Sequence, residues 1–410
     1  MGFQQGLSGL NAASRGLDVI GHNIANANTT GMKASRAEFA ELYAASISGA
    51  SGSTVGIGVE VGAVSQQFTQ GNIAITGNNL DVAVNGSGFF QVTKNDGTTA
   101  YTRAGNFKLD KDGDIVTNVG ANLMGYPTDA DGVRTSTTLQ AMTLPTGGPI
   151  PAKQTETVTA ELNLDARAPI WDSVTPNTPL TKFGTSLTAF DSQGVEIPVS
   201  LYFRRIGPPA NNDWEVFTDP TDDASATASL ITTLSFDANG NLLSPLATVD
   251  LPLTSVNPLI GALTPIPQLD LTDVTQQGIA FSVSDLRQDG YTAGELTGIN
   301  IEDNGVITAR YSNGQSQAAG QIALAEFRNA QGLQPEGGGY WLETFASGQP
   351  VHGAPEEGKF GSLRSGALED SNVDLTQELV NMMTAQRTYQ ANAQTIKTQD
   401  QVLQTLVNLR

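Results

Sequence analysis

The chain has 410 residues, no cysteine and a formal net charge of −20, which excludes a disulfide framework, a thiolate metal site and a cysteine nucleophile. The charge argues against nucleic acid, because phosphate binding needs clustered Lys and Arg, and it does not favour an anionic membrane surface. At this length two or three domains are expected; abundant Gly, Thr, Val and Asn with 6% aromatics predict a β-rich middle with helices confined to the ends.

Near the N-terminus Phe3, Leu7, Leu10, Ser14, Leu17, Gly21 and Ile24 follow a four-three spacing, the stripe of an amphipathic helix seeking a partner. Met1 to Gln5 lacks the basic start and apolar core of a cleavable signal, and no apolar run approaches the length of a membrane span, so the expectation is no membrane insertion and, if the chain leaves the cell, a route without a cleaved leader. The run His22-Asn23-Ile24-Ala25-Asn26-Ala27-Asn28-Thr29-Thr30-Gly31 reads as a helix end, with Gly31 available for a left-handed cap. Residues 44–62, rich in Ser, Gly and Ala, read as a long extended or flexible connector. Within them Gly56, Gly58 and Gly62 resemble a dinucleotide loop only superficially: the third glycine is one position late and no strand-loop-helix unit surrounds it.

Between Val64 and Tyr126 short strands alternate with turns at Gly86-Ser87-Gly88, Asn95-Asp96-Gly97 and Asp110 to Asp114, a meander of hairpins. Asp110, Asp112 and Asp114 do not follow the calcium-loop spacing, so a hairpin turn is the better reading. A Pro-containing stretch from Leu144 to Pro151 marks a boundary. From Ile206 to Leu286 there is no Lys or Arg, which reads as a soluble acidic surface, and the prolines between Ser244 and Gln268 read as loops. A hairpin around Asp303-Asn304-Gly305 and a strand over 322–327 follow. The layout is nested and mainly β: helical ends at 1–30 and 366–410, linkers at 31–70 and 351–365, a discontinuous first β domain at 71–145 and 287–350, and an inserted outer β domain at 146–286.

The last forty residues carry no proline or glycine, and Leu375, Leu379, Met382, Gln386, Tyr389, Ala393, Ile396, Asp400, Leu403 and Val407 again step by four and three. The outer positions are Gln-rich rather than charged, which suits burial against neighbours. Pattern alone leaves open whether the two helices close one domain as a coiled coil or build an assembly. Catalysis has no visible address: His22 and His352, the only histidines, stand at opposite ends, and there is no nucleophile elbow, phosphate loop or metal-ligand spacing. The expectation is a non-enzyme with no cofactor and no metal.

Two long segments carry a family resemblance. Asn23-Ile24-Ala25-Asn26-Ala27-Asn28-Thr29-Thr30-Gly31-Met32-Lys33 resembles the N-terminal signature of bacterial flagellar rod and hook axial proteins, with Met32 where an aromatic is usual. Ser365 to Leu375, with Asn372 and Asp374, and Glu378 through Gln386, Arg387, Tyr389 and Asn392 are similar to their C-terminal signature. Thr188-Ala189-Phe190-Asp191-Ser192-Gln193-Gly194 running into Leu201-Tyr202-Phe203, and Gln288-Asp289-Gly290-Tyr291 running to Tyr311-Ser312-Asn313-Gly314-Gln315, resemble the hook branch. The resemblance implies a structural subunit that self-assembles into a curved, flexible tube, a universal joint carrying torque from rod to filament. It implies paired terminal helices innermost and the inserted domain outermost. Implied partners are further copies of the chain, the distal rod protein, the hook cap protein, the hook-filament junction protein and the flagellar type III export apparatus, with location in the extracellular hook and basal body. A distal rod axial protein is the alternative, and a secreted β-rich adhesin with dimerising helices a second, against which the few tryptophans, Trp171, Trp214 and Trp341, argue mildly.

Overall fold

The computed structural model describes residues 2–42, 56–145, 148–171, 182–207, 212–218 and 230–408. Its contacts divide the chain into two units, Met1–Gly147 with Gly298–Arg310 and Ser316–Arg410, and Gly148–Thr297 with Tyr311–Gln315. The second unit therefore runs on to Thr297 rather than ending at 286, and includes the Tyr311–Gln315 turn.

The first unit opens with helix α1 (Gly2–Ala25) and closes with helix α2 (Leu375–Asn408). Strands β1 (Ser35–Leu42) and β2 (Gly58–Gln66) pair antiparallel, Ser35 opposite Gln66 and Leu42 opposite Gly58. β3 (Ile73–Ile75) and β4 (Val82–Asn85) pair with strands from far along the chain, Ala367–Glu369 and Ser362–Ser365. β5 (Phe89–Thr93) and β6 (Thr99–Thr102) form a hairpin with Phe90 opposite Thr102, and its turn needs the left-handed Gly97, at φ 83°. Asn122–Tyr126 and Leu324–Glu326 pair with β5, and Tyr340–Leu342 pairs with β6. The returning segment thus completes the sheet that the early hairpins begin. Val82, Val84, Phe90, Val92, Phe107, Leu123, Ile307, Ile322 and Leu324 form its buried core, and a second, aromatic cluster gathers Phe68, Phe89, Tyr101, Phe327 and Trp341.

Two segments read as linkers are structured. Residues 43–55 lie outside the described residues, but β2 begins at Gly58 and is hydrogen-bonded along β1. Residues 351–365 contribute Val351–Gly353 to Leu324–Glu326 and Ser362–Ser365 to β4. Local composition misled there, because these strands gain their stability from paired backbone rather than from their own apolar content.

The second unit is two sheets over one core. An antiparallel sheet runs in spatial order Gly184–Phe190, Glu196–Ile206, Asp213–Phe217, Leu230–Phe236, Leu242–Ser244. The other centres on Thr157–Asp165, which pairs parallel with Gln268–Asp270 and Thr275–Gln277 and antiparallel with Ser282–Gln288. Leu162, Leu164, Leu201, Phe203, Trp214, Leu234 and Leu269 share one buried cluster, as facing sheets require.

Candidate functional site

The two terminal helices pack on each other, but not along the apolar stripes. On α1 the groove beside α2 is lined by Gly9, Ala12, Ala13, Gly16 and Ile20, and on α2 by Ala385, Thr388 and Asn392. Gly6 faces Ile396: a Cβ on Gly6 would lie 3.0 Å from Ile396 Cγ1, and one on Gly9 would lie 2.9 Å from the amide of Asn392. The shared strip therefore steps through positions 6, 9, 13, 16 and 20 against 378, 381, 385, 392 and 396. Apart from Ile396, that is one residue earlier than the four-three spacing of the leucines on both helices. Small residues set this register, because the backbones approach most closely where there is no side chain to hold them apart.

The offset decides what remains uncovered. Leu10, Leu17, Ile24, Met382, Ala393 and Ile396 are half-buried. Phe3, Leu7, Leu375, Leu379, Tyr389, Leu403 and Val407 are exposed, joined by Val380, Met383 and Val402, with Leu379 at 47% and Leu403 at 54%. Gln386 and Asp400, which interrupt the stripe, are exposed too. The expected seam is thus split: part of it flanks the helix pair, and the larger part is uncovered, Leu375 and Leu379 off the strip that meets α1, Leu403 and Val407 where α2 runs on past the Gly6–Ile396 contact.

α1 also rests on the β1–β2 hairpin. Gln5 Nε2 donates to Gly56 O at 2.5 Å, and Val59 N donates to Ser8 Oγ at 3.3 Å. At the other end of α1, buried Asn23 clasps the backbone of Ser35 twice, donating from Nδ2 to Ser35 O at 2.8 Å and accepting from Ser35 N at 2.9 Å. Asn26 Nδ2 donates to His22 O at 2.9 Å, and Thr29 Oγ1 reaches Asn26 Oδ1 at 3.4 Å. Gly31 has the left-handed φ of 70°, but it does not cap α1, which ends at Ala25. Its N–H instead donates to Glu369 O at 2.7 Å, and a Cβ there would lie 2.5 Å from Ala104 N. Gly31 is required because three chain segments converge on it.

Beside Gly31 lies a buried ion cluster. Lys33 Nζ donates to Glu369 Oε1 at 2.5 Å and to Thr69 O at 2.8 Å, Arg103 Nη1 donates to Glu369 Oε2 at 3.2 Å, and Gly71 N donates to Glu369 Oε1 at 2.9 Å. The side chains of Lys33, Arg103 and Glu369 are 1%, 6% and 0% exposed. Burial pushes the Lys33 ammonium and the Arg103 guanidinium below their ordinary ranges, with Glu369 acting in the opposite direction on both. Asn372 completes the junction: its Oδ1 accepts from Ala34 N at 2.7 Å and its Nδ2 donates to Gln67 O at 2.7 Å and Thr69 Oγ1 at 2.8 Å. Asp374 caps α2, its Oδ1 accepting from Thr376 N at 2.9 Å and Gln377 N at 3.1 Å.

Asn23, Gly31 and Asn372 therefore bond the chain ends to the β body, Asp374 caps α2 two residues beyond Asn372, Asn392 sits in the helix seam, and Gln386 and Arg387 face solvent on α2. Glu369 and Arg103 were missed by the sequence reading. Glu369 stood inside the C-terminal segment without any spacing to mark it, and its partners lie 336 and 266 positions away.

Four family models match in succession: "Flagella basal body rod protein" over residues 3–33, "Flagellar hook protein FlgE/F/G D1 domain" over 83–160, "Flagellar basal body protein FlaE D2 domain" over 163–291, and "Flagellar basal body rod FlgEFG protein C-terminal" over 364–409. The chain is 42% identical to the flagellar hook protein FlgE of Escherichia coli, covering 100% of both chains. It is 33% identical to that of Treponema pallidum, covering 99% of this chain and 98% of the other. Among solved structures, the Helicobacter pylori flagellar hook protein FlgE2 shares the fold at a TM-score of 0.54 and 16% identity, over 72% of this chain and 100% of that one.

Proposed function

Because the chain belongs to the flagellar hook protein family, as its full-length identity to named hook proteins shows, we propose that this structural subunit of the hook assembles through its terminal helices. The single observation that carries this reading is the split seam: α1 and α2 meet through small residues and amides, while Leu375, Leu379, Val380, Met383, Val402, Leu403 and Val407 stay exposed. Exposed apolar surface of that extent marks an interaction site, and further copies of the same helix pair offer surface of the same kind to cover it. Contacts that are heterologous and do not close into a ring give a helical tube. α2, with 34 residues, is about 50 Å long, enough for successive copies to form a continuous inner layer.

The tube so built is the curved, flexible joint that carries torque between rod and filament. Its ends join the distal rod protein and the hook-filament junction protein, growth proceeds beneath the hook cap protein, and subunits reach the tip through the flagellar type III export apparatus. No helix among the described residues is long and apolar enough to cross a membrane. Substituting both Leu379 and Leu403 by Asp tests the reading: the purified variant melts like the parent chain, because both positions are exposed, and forms no tubes under conditions where the parent does. Tubes of normal yield from the variant would falsify it.

A further inference from the structure

We propose that Glu378 of one copy pairs with Arg387 of the next. This rests on the reading of the terminal helices as the assembly surface and names one contact within it. Glu378 stands in the first turn of α2 and lines a cavity of about 290 Å³ between the two helices and β1, with Gly16, Val19, Ile20, Asn23 and Asn381. Its Oε2 atom is buried and has no hydrogen-bond partner. The positive end of the α2 dipole favours a carboxylate there, yet a buried carboxylate oxygen left unbonded costs free energy until a donor reaches it. The site is incomplete in a single copy.

The missing donor is on the same helix. Arg387 is exposed and has no ion pair or side-chain hydrogen bond among the described residues. It lies nine positions beyond Glu378, about 13 Å along the axis and two and a half turns around it, so the two side chains leave α2 on opposite faces and cannot meet within one copy. Val380 and Met383, both exposed, share the Arg387 face at three- and four-residue spacing. A neighbouring helix docking by that face would bring an apolar strip and a guanidinium together, complementary to an apolar cavity holding a carboxylate. A planar guanidinium with several donors suits a carboxylate better than an ammonium does. Arg36 also lines the cavity, but its guanidinium is bonded to Glu38 on its own strand at 2.9 Å. The pairing is directional, carboxylate side to arginine side, as a tube requires.

Charge reversal in trans tests it. Glu378→Arg and Arg387→Glu each place like charges across the contact, and each alone loses roughly tenfold or more in tube yield. An equimolar mixture of the two variants regains tubes, because each can meet the opposite charge only on the other, and the double variant regains them by itself. Normal tubes from Arg387→Glu alone would overturn the pairing, whichever way Glu378→Arg behaves. So would a mixture that stays soluble while both monomers melt like the parent. Should Glu378→Arg perturb the monomer, Glu378→Gln and Arg387→Gln serve instead: a double variant no worse than either single supports the contact, and additive losses overturn it. Failure here with the Leu379 and Leu403 result intact removes the pair and leaves the helix surface standing.

Discussion

Glu369 ties together three parts of the chain that are remote in sequence. One carboxylate group serves Lys33 from the N-terminal segment, Arg103 from the β body and the backbone of Gly71, all out of solvent. Breaking a buried ion pair by neutralising one partner costs roughly 3 to 5 kcal/mol, because the remaining charge stays buried. Glu369→Gln should therefore lower the melting temperature of the first unit strongly and leave that of the second unchanged, as read by calorimetry; a first transition shifted by no more than a degree or two would contradict the role. Lys33 and Glu369 both stood inside the segments that carried the family resemblance, so the importance of those segments was legible. Their pairing was not, since nothing in local spacing reports a contact across 336 positions.

The helices show a different limit on what a sequence displays. Periodicity located α1 and α2 and implied that they meet, but it counts apolar residues, and the observed strip is made of Gly6, Gly9, Gly16, Ala385 and Asn392, which carry little apolar signal. The leucines that marked the stripe are mostly exposed. Glycine substitutions separate the two faces. A Cβ on Gly21 would meet nothing within 4 Å, so Gly21→Ala should stabilise α1 by about 0.5 to 1 kcal/mol through helix propensity alone. Gly9→Leu must displace Asn392 and should lower the temperature at which helical circular dichroism is lost; equal behaviour of the two variants would show that the helices do not meet at Gly9. The hairpin of β1 and β2 escaped the reading for a related reason. Its residues are half-buried or exposed, and what orders them is α1 above and the aromatic cluster at the base, where Gln331 Nε2 donates to Gln66 O at 2.6 Å and Trp341 Nε1 donates to Gln66 Oε1 at 2.5 Å.

At the scale of the whole molecule, the nested order of helical ends, β body and inserted β unit was legible from turn residues and composition, while the exact partition depends on strand pairings between distant segments. The acidic second unit carries its own pH response. Burial pushes Asp289 and Asp191 up, but this is outweighed for Asp289 by Lys153 Nζ at 2.9 Å and the N–H groups of Thr157 and Glu156, and for Asp191 by Ser255 Oγ at 2.6 Å and the N–H groups of Val195 and Gln193. Both carboxylates therefore lie below their ordinary range. A depressed carboxylate contributes stability that is complete above its unfolded value, about pH 4, and is lost as pH falls through the folded value. The melting transition of the second unit should hold from neutral pH down to about pH 4 and fall below it. Asp289→Asn should flatten that fall, and an unchanged profile would count against this origin.

The most direct measurement is electron microscopy with sedimentation of the chain lacking residues 376–410, which keeps Glu369, Asn372 and the whole β body but removes nearly all of α2. The expected result is a soluble protein whose second unit melts as in the full chain and which forms no tubes at any concentration where the full chain does. Tubes of ordinary diameter and yield from the truncated chain would contradict assembly through the terminal helices.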